Sequence, residues 1–138
     1  MYKKRQEIFD KVWDHFVVKK NPQSLKPYSR SCCYSGTGCA IGCLIDDKEL
    51  CKKWDEMANS SVSYFAAGPY NKNYLPLVEK FKEYFNGLNT GMVDFLIRIQ
   101  NAHDDYYHYN KVFPITWEIY IEQQLRVVAS RYDFEIPK

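Results

Sequence analysis

Ile8, Phe9, Val12, Trp13, Phe16 and Val17 fall three and four residues apart, with charged residues between them. That period predicts an amphipathic helix over residues 2–19 that lays one face on a core. Asn21-Pro22 stops it, because proline pushes the residue before it out of helical backbone. The period returns with Leu50, Trp54 and Met57 over residues 46–57. It returns again with Leu77, Phe81 and Phe85 behind Pro76, whose fixed φ suits a first helical turn, and Asn86-Gly87 closes that helix. Met92, Leu96, Ile99 and His103 carry it from a Thr90 N-cap to about residue 106. Pro114 and Thr116 open a last helix with Trp117, Ile121, Leu125, Val128 and Tyr132 on its inner stripe. The polar loop 59–73 has room for one helical turn over residues 62–67. Cys32, Cys33 and Tyr34 read as a short strand, and residues 35–38 as the turn after it. Residues 39–45 read as the opening of a buried helix, with a second strand as the competing reading. The expected fold is mainly α: a single compact helical domain over residues 1–138, of about five helices with a small glycine-turn β-hairpin.

The totals agree with one folded domain. The chain has 138 residues, of which 46% are hydrophobic and 17% aromatic, a composition able to bury a core. Net charge is +2 and no basic run exceeds three residues, Lys3 to Arg5. Nucleic acid needs a denser positive stripe, so it is not an expected partner. No apolar run has the length of a membrane span, and the N-terminus lacks an apolar signal region. With an odd number of cysteines, five, these features predict a reduced, cytoplasmic protein with free thiols and no membrane contact.

Residues 31–45, SCCYSGTGCAIGCLI, hold four of those cysteines and three glycines. A structural zinc site wants paired ligands. Cys39 and Cys43 make one pair, but Cys32 and Cys33 are adjacent and Cys51 stands alone, so small packed cysteines are expected and no metal or cofactor. Gly36, Gly38 and Gly42 lack the long strand and later acid that a dinucleotide fold requires. A glycine turn running into a helix still presents free N–H groups, and those of Gly38 and Cys39 could hold an anion beside Arg30 or Lys26. A cysteine in that position also has a lowered pKa. An alternative reading is therefore a hydrolase or transferase with Cys39 as nucleophile, His103 as base and Asp104 or Asp105 as orienter.

His103 also has an ordinary reading, as a hydrogen-bonded residue at the edge of an apolar face. Asp104 and Asp105 near a helix C-terminus oppose its dipole, so a cation or another helix start should compensate them. Tyr106, Tyr107, His108 and Tyr109 follow as an aromatic cluster suited to an interface. His15 carries no assigned role.

Taken together, CCYSGTGCAIGCLIDD and FLIRIQNAHDD, followed by Trp117 and a final helix, resemble a family of small bacteriophage and bacterial proteins with no settled activity. Tyr34, Gly36, Cys39, Ala40, Gly42, Leu44, Ile45, Gln100, His103, Asp104 and Trp117 match its pattern. Asp46 replaces the proline expected after Leu44-Ile45, and the glycine turn is shorter and lacks a basic residue just before the cysteine. The resemblance implies a phage accessory protein, acting in the host cytoplasm against a host defence, either by sequestering a nucleotide-like signal or by binding a host enzyme. The expected ligand site joins Arg30, Tyr34, Gly36, Gly38, Cys39, His103, Asp104 and Trp117. Tyr34 or Trp117 would stack on a base and Asp104 would accept a hydrogen bond from it. The ligand is small and polar, the binding non-enzymatic, and a homo-oligomer is compatible with it.

Overall fold

The computed structural model describes residues 4–24, 33–35 and 38–138. Seven α-helices stand among them. Helix α1, Arg5–Trp13, widens without a break into a π-helical turn, Asp14–Val18. Then follow α2 (Lys48–Asp55), α3 (Val62–Ala67), α4 (Leu75–Tyr84), α5 (Thr90–Asp104), α6 (Tyr106–Val112) and α7 (Trp117–Tyr132). None of the described helices is long and apolar enough to cross a membrane.

Two packed groups share α5. On one side α5 meets α7, and α1 with its π turn packs on α7. Ile8, Phe9, Val12 and Phe16 meet Phe95, Leu96, Ile99, Ile121 and Leu125 in one fully buried cluster. On the other side α3 packs against α4 and α5, and α2 against α4. This half is aromatic: the Phe65 and Phe81 rings stack at 4.1 Å, and Trp54 meets Phe81 edge-on at 5.3 Å. The buried Trp54 indole donates to the Leu77 carbonyl at 3.0 Å, so its one polar atom is satisfied.

The apolar stripes appear where periodicity puts them, but the expected count of five helices is too low. Residues 106–112, read as an aromatic cluster, form their own helix α6 after a turn at Asp105. The cap of α5 is Asn89, whose side chain accepts from the Met92 N–H at 3.0 Å, one residue before the expected Thr90. The glycine-turn hairpin is not found, since the described residues contain no strand. Of its expected turn, the described residues show the Gly38 N–H donating to the Ser35 carbonyl at 3.2 Å. The flanking polar groups go elsewhere. The Asp55 carboxylate takes the N–H groups of Tyr34 and Ser35 and the Ser35 hydroxyl, at 2.8, 3.1 and 2.7 Å. Once a carboxylate satisfies that backbone, no partner strand is needed.

Residues 39–45 are buried, as expected, apart from the half-buried Cys43, but hold only one 3-10 turn, Gly42–Leu44. Gly42 explains the tight packing. A Cβ there would lie 2.4 Å from the Tyr34 carbonyl oxygen and 2.8 Å from its Cα, both backbone atoms. Gly42→Ala should therefore destabilise by on the order of 2–3 kcal/mol, because backbone must move. Gly87→Ala, with φ of +74° but nothing within 4 Å, should cost only about 1 kcal/mol. Urea denaturation of both variants checks the order.

Candidate functional site

Gln100, His103 and Asp104 share one face of α5 through their three- and four-residue spacings. His103 is 0% exposed and caged by the rings of Phe16 and Trp117, at 5.5 and 5.6 Å. Its Nε2 accepts the Ser24 N–H at 3.0 Å. A backbone N–H can only donate, so Nε2 is unprotonated and the ring hydrogen sits on Nδ1. Nδ1 donates to Asp104 Oδ1 at 2.7 Å. Gln23 Nε2 donates to the His103 carbonyl at 2.8 Å, and the Trp117 indole to the Asn21 carbonyl at 3.0 Å. The 21–24 segment is thus fastened to α5 and α7 at three points.

Gln100 is orientated the same way. The Ile41 N–H needs an acceptor and finds Gln100 Oε1 at 3.3 Å, which directs Nε2 to Asp104 Oδ1 at 2.9 Å. Asp104 Oδ1 therefore takes two donors. Oδ2 has no partner among the described residues, and the side chain is 30% exposed.

Asp104 lines a cleft of about 300 Å³ between residues 58–63, which lead into α3 and form its first turn, and the Ile97, Gln100 and Asn101 face of α5. Tyr34 lies at its base, with its hydroxyl donating to the Ser60 carbonyl. Burial, and then the charges of Asp104 and Asp55, hold that phenol far above its ordinary range. It remains a neutral hydroxyl. Ser61 rigidifies the opposite rim: its Oγ accepts from the Tyr64 N–H at 3.2 Å and donates to Asn59 Oδ1 at 3.0 Å. Among the described residues, neither lysine nor arginine lines the cleft.

Of the expected site residues, the structure brings Tyr34 and Asp104 to one cleft, with His103 sealed directly behind. Trp117 lies against the His103 ring with its indole N–H already engaged. Arg30, Lys26, Gly36 and Cys32 lie outside the described residues. The stacking role expected of Tyr34 fails, because its ring packs edge-on against Trp54 and Phe81 in the core. The anion cradle fails too. The Gly38 N–H is taken by Ser35, and the Cys39 N–H donates to the Cys33 carbonyl at 3.2 Å. The only helical turn beyond them is three residues of 3-10 geometry, Gly42–Leu44, with little dipole. The Cys39–His103–Asp104 catalytic set is not assembled. Cys39 is disulfide-bonded, which corrects the expectation of free thiols throughout, and both His103 nitrogens are engaged. Among the described residues, no three His, Cys, Asp or Glu side chains converge as metal ligands.

Sequence reasoning passed over the rim, Asn59 to Ser63. Its signal was the serine that precedes the apolar Val62, a helix-capping pattern. It also passed over Asp55 and His15. His15 Nε2–H donates to the Gly38 carbonyl at 3.2 Å, and Nδ1 accepts from Asn21 Nδ2 at 3.0 Å. The same Asn21 amide donates to the His15 carbonyl, which fixes its orientation.

No family model matches the chain, and no curated protein or solved structure is significantly similar to it.

The electrostatics predict two outcomes. Burial first, then the charges of Lys19 and Lys48, hold His15 below its ordinary pKa against the opposing pull of the Gly38 carbonyl. The unfolded chain then binds more protons than the folded one as pH falls past about 6.5, so stability should drop on acidification through that region. The denaturant midpoint should fall between pH 7 and pH 5.5 for the wild type and fall less for His15→Gln. Burial also pushes the free thiols of Cys43 and Cys51 up to about 12 and about 11. Both should stay unmodified by iodoacetamide at pH 7 in the native protein and react once it is unfolded, as read by peptide mass mapping.

Proposed function

We propose that this protein is a non-enzymatic binding module that holds a small polar ligand in the cleft between residues 58–63 and α5. The observation that carries the reading is Asp104: one carboxylate oxygen is fixed by two donors from its own helix, and the other stands at the cleft wall with no partner among the described residues. Pre-orientation of this kind lowers the cost of binding, because the group does not have to be ordered when the ligand arrives. Sequestration rather than turnover is supported by the state of the expected catalytic pair: Cys39 is held in a disulfide and both His103 ring nitrogens are engaged. The resemblance to small phage and bacterial proteins supports an accessory role in a host cytoplasm, with removal of a host small molecule as the anti-defence action. The nucleotide-like part of that expectation gains no support here, since a phosphate would find no cation among the described residues lining this cleft.

A second reading, binding of a host protein, is favoured by the end of α6. Val112 and Phe113 are 69% and 61% exposed there, with Tyr109 beside them. Apolar surface of this kind suits a protein contact.

Thermal-shift measurements across a panel of charged and neutral metabolites test the first reading. A ligand at one hundred times its Kd stabilises by about 2.7 kcal/mol. Ser63→Trp, on the exposed rim, should fill the cleft and abolish every specific shift without lowering the basal melting temperature. Shifts that persist in this variant would place the binding elsewhere.

A further inference from the structure

We infer that the cleft selects a small organic cation, with an ammonium or guanidinium group on Asp104 and a short aliphatic body against Val62 and Ile97. This rests on the proposed binding role and specifies its ligand class. Three observations converge on it. Among the described residues, Asp104 is the only charged side chain lining the cleft, and it is anionic. Its Oδ1 is already occupied by His103 and Gln100, so a ligand meets Oδ2, which can only accept a hydrogen bond. The Tyr34 hydroxyl at the base of the cleft is neutral, so among the described lining residues nothing balances the Asp104 charge. An anion placed there would meet like charge, whereas a cation gains a charge-assisted hydrogen bond.

The remaining surface limits what the cation is attached to. A nucleobase binds well where an aromatic face can stack on it. The Tyr34 ring is committed to Trp54 and Phe81, and no other aromatic residue among those described lines the cleft. Val62 and Ile97 instead offer aliphatic wall, and the volume of about 300 Å³ is at the small end for ligand sites. An alkylamine or alkylguanidine of a few carbons matches both. Tyr34, held neutral, has spent its proton on the Ser60 carbonyl and can only accept from the ligand.

Isothermal titration of the full chain against n-butylammonium, 1,4-diaminobutane and butylguanidinium tests the inference, with 1-butanol, butyrate, adenosine and AMP as comparison probes. Cations should bind and the others should not. Asp104→Asn should weaken cation binding at least about tenfold, as expected for loss of a charge-assisted bond. Asn101→Lys is the second variant. It adds a positive charge to the cleft from an exposed position outside the hydrogen-bond relay and should weaken cations to a similar extent even if Asp104→Asn fails to fold. Ser63→Trp should remove binding altogether. Binding of any comparison probe that Ser63→Trp abolishes, without cation binding, would overturn the cation class and leave the cleft as a site. No binding by any probe, or cation binding indifferent to Asn101→Lys and Ser63→Trp, would overturn both.

Discussion

A histidine with no access to water is costly unless both ring nitrogens are satisfied, and His103 satisfies them in opposite directions. One nitrogen receives the Ser24 backbone and the other gives its proton to Asp104. The two bonds are interdependent, because the Ser24 N–H at Nε2 is what forces the proton onto Nδ1. A connecting segment distant in sequence therefore decides how a carboxylate on α5 is held. Gln23 and Asn21 reinforce the same docking through the His103 carbonyl and the Trp117 indole. Ser24 extends it further, since its hydroxyl donates to the Cys33 carbonyl and its own carbonyl accepts the Cys33 N–H.

The cleft is assembled by the same kind of exchange between remote backbone and fixed side chains. Asp55, at the end of α2, gathers the Tyr34–Ser35 backbone, and Gly42 allows the 38–45 segment to press directly on it. Ile41, one residue earlier, then reaches Gln100 and orients its amide. Tyr34 at the cleft base and Asp104 at its wall are thus positioned by two networks that meet at Gln100. A change at Gly42 should be felt at Asp104 through Ile41 and Gln100, which lie between them.

Much of the helical framework was legible in the sequence. The stripes through Ile8 to Phe16, Leu50 to Met57, Met92 to His103 and Trp117 to Val128 turn inward, since burial of a periodic apolar face is a local property of the chain. Residues 31–45 misled for an equally physical reason. Glycines signal a turn but not what lies on either side of it, and here a carboxylate twenty residues away replaced the expected partner strand. Tyr34 and Asp104 were legible as site residues by type, while their roles were not. Whether a tyrosine offers its ring or its hydroxyl depends on which end the core takes. The Asn59–Ser63 rim was hidden because small polar residues in a loop look alike whether or not they border a cavity.

The central claim is that His103 is a neutral, sealed clamp whose proton sits on Nδ1 and points at Asp104. Nitrogen-15 NMR of histidine-labelled protein at pH 7 tests this directly. The account predicts one ring with a protonated Nδ1 in slow exchange with water and an unprotonated Nε2, converting to an ordinary exposed imidazole on unfolding. A His103 ring protonated at Nε2 in the folded protein, or one whose proton exchanges as freely as that of His108, would contradict it.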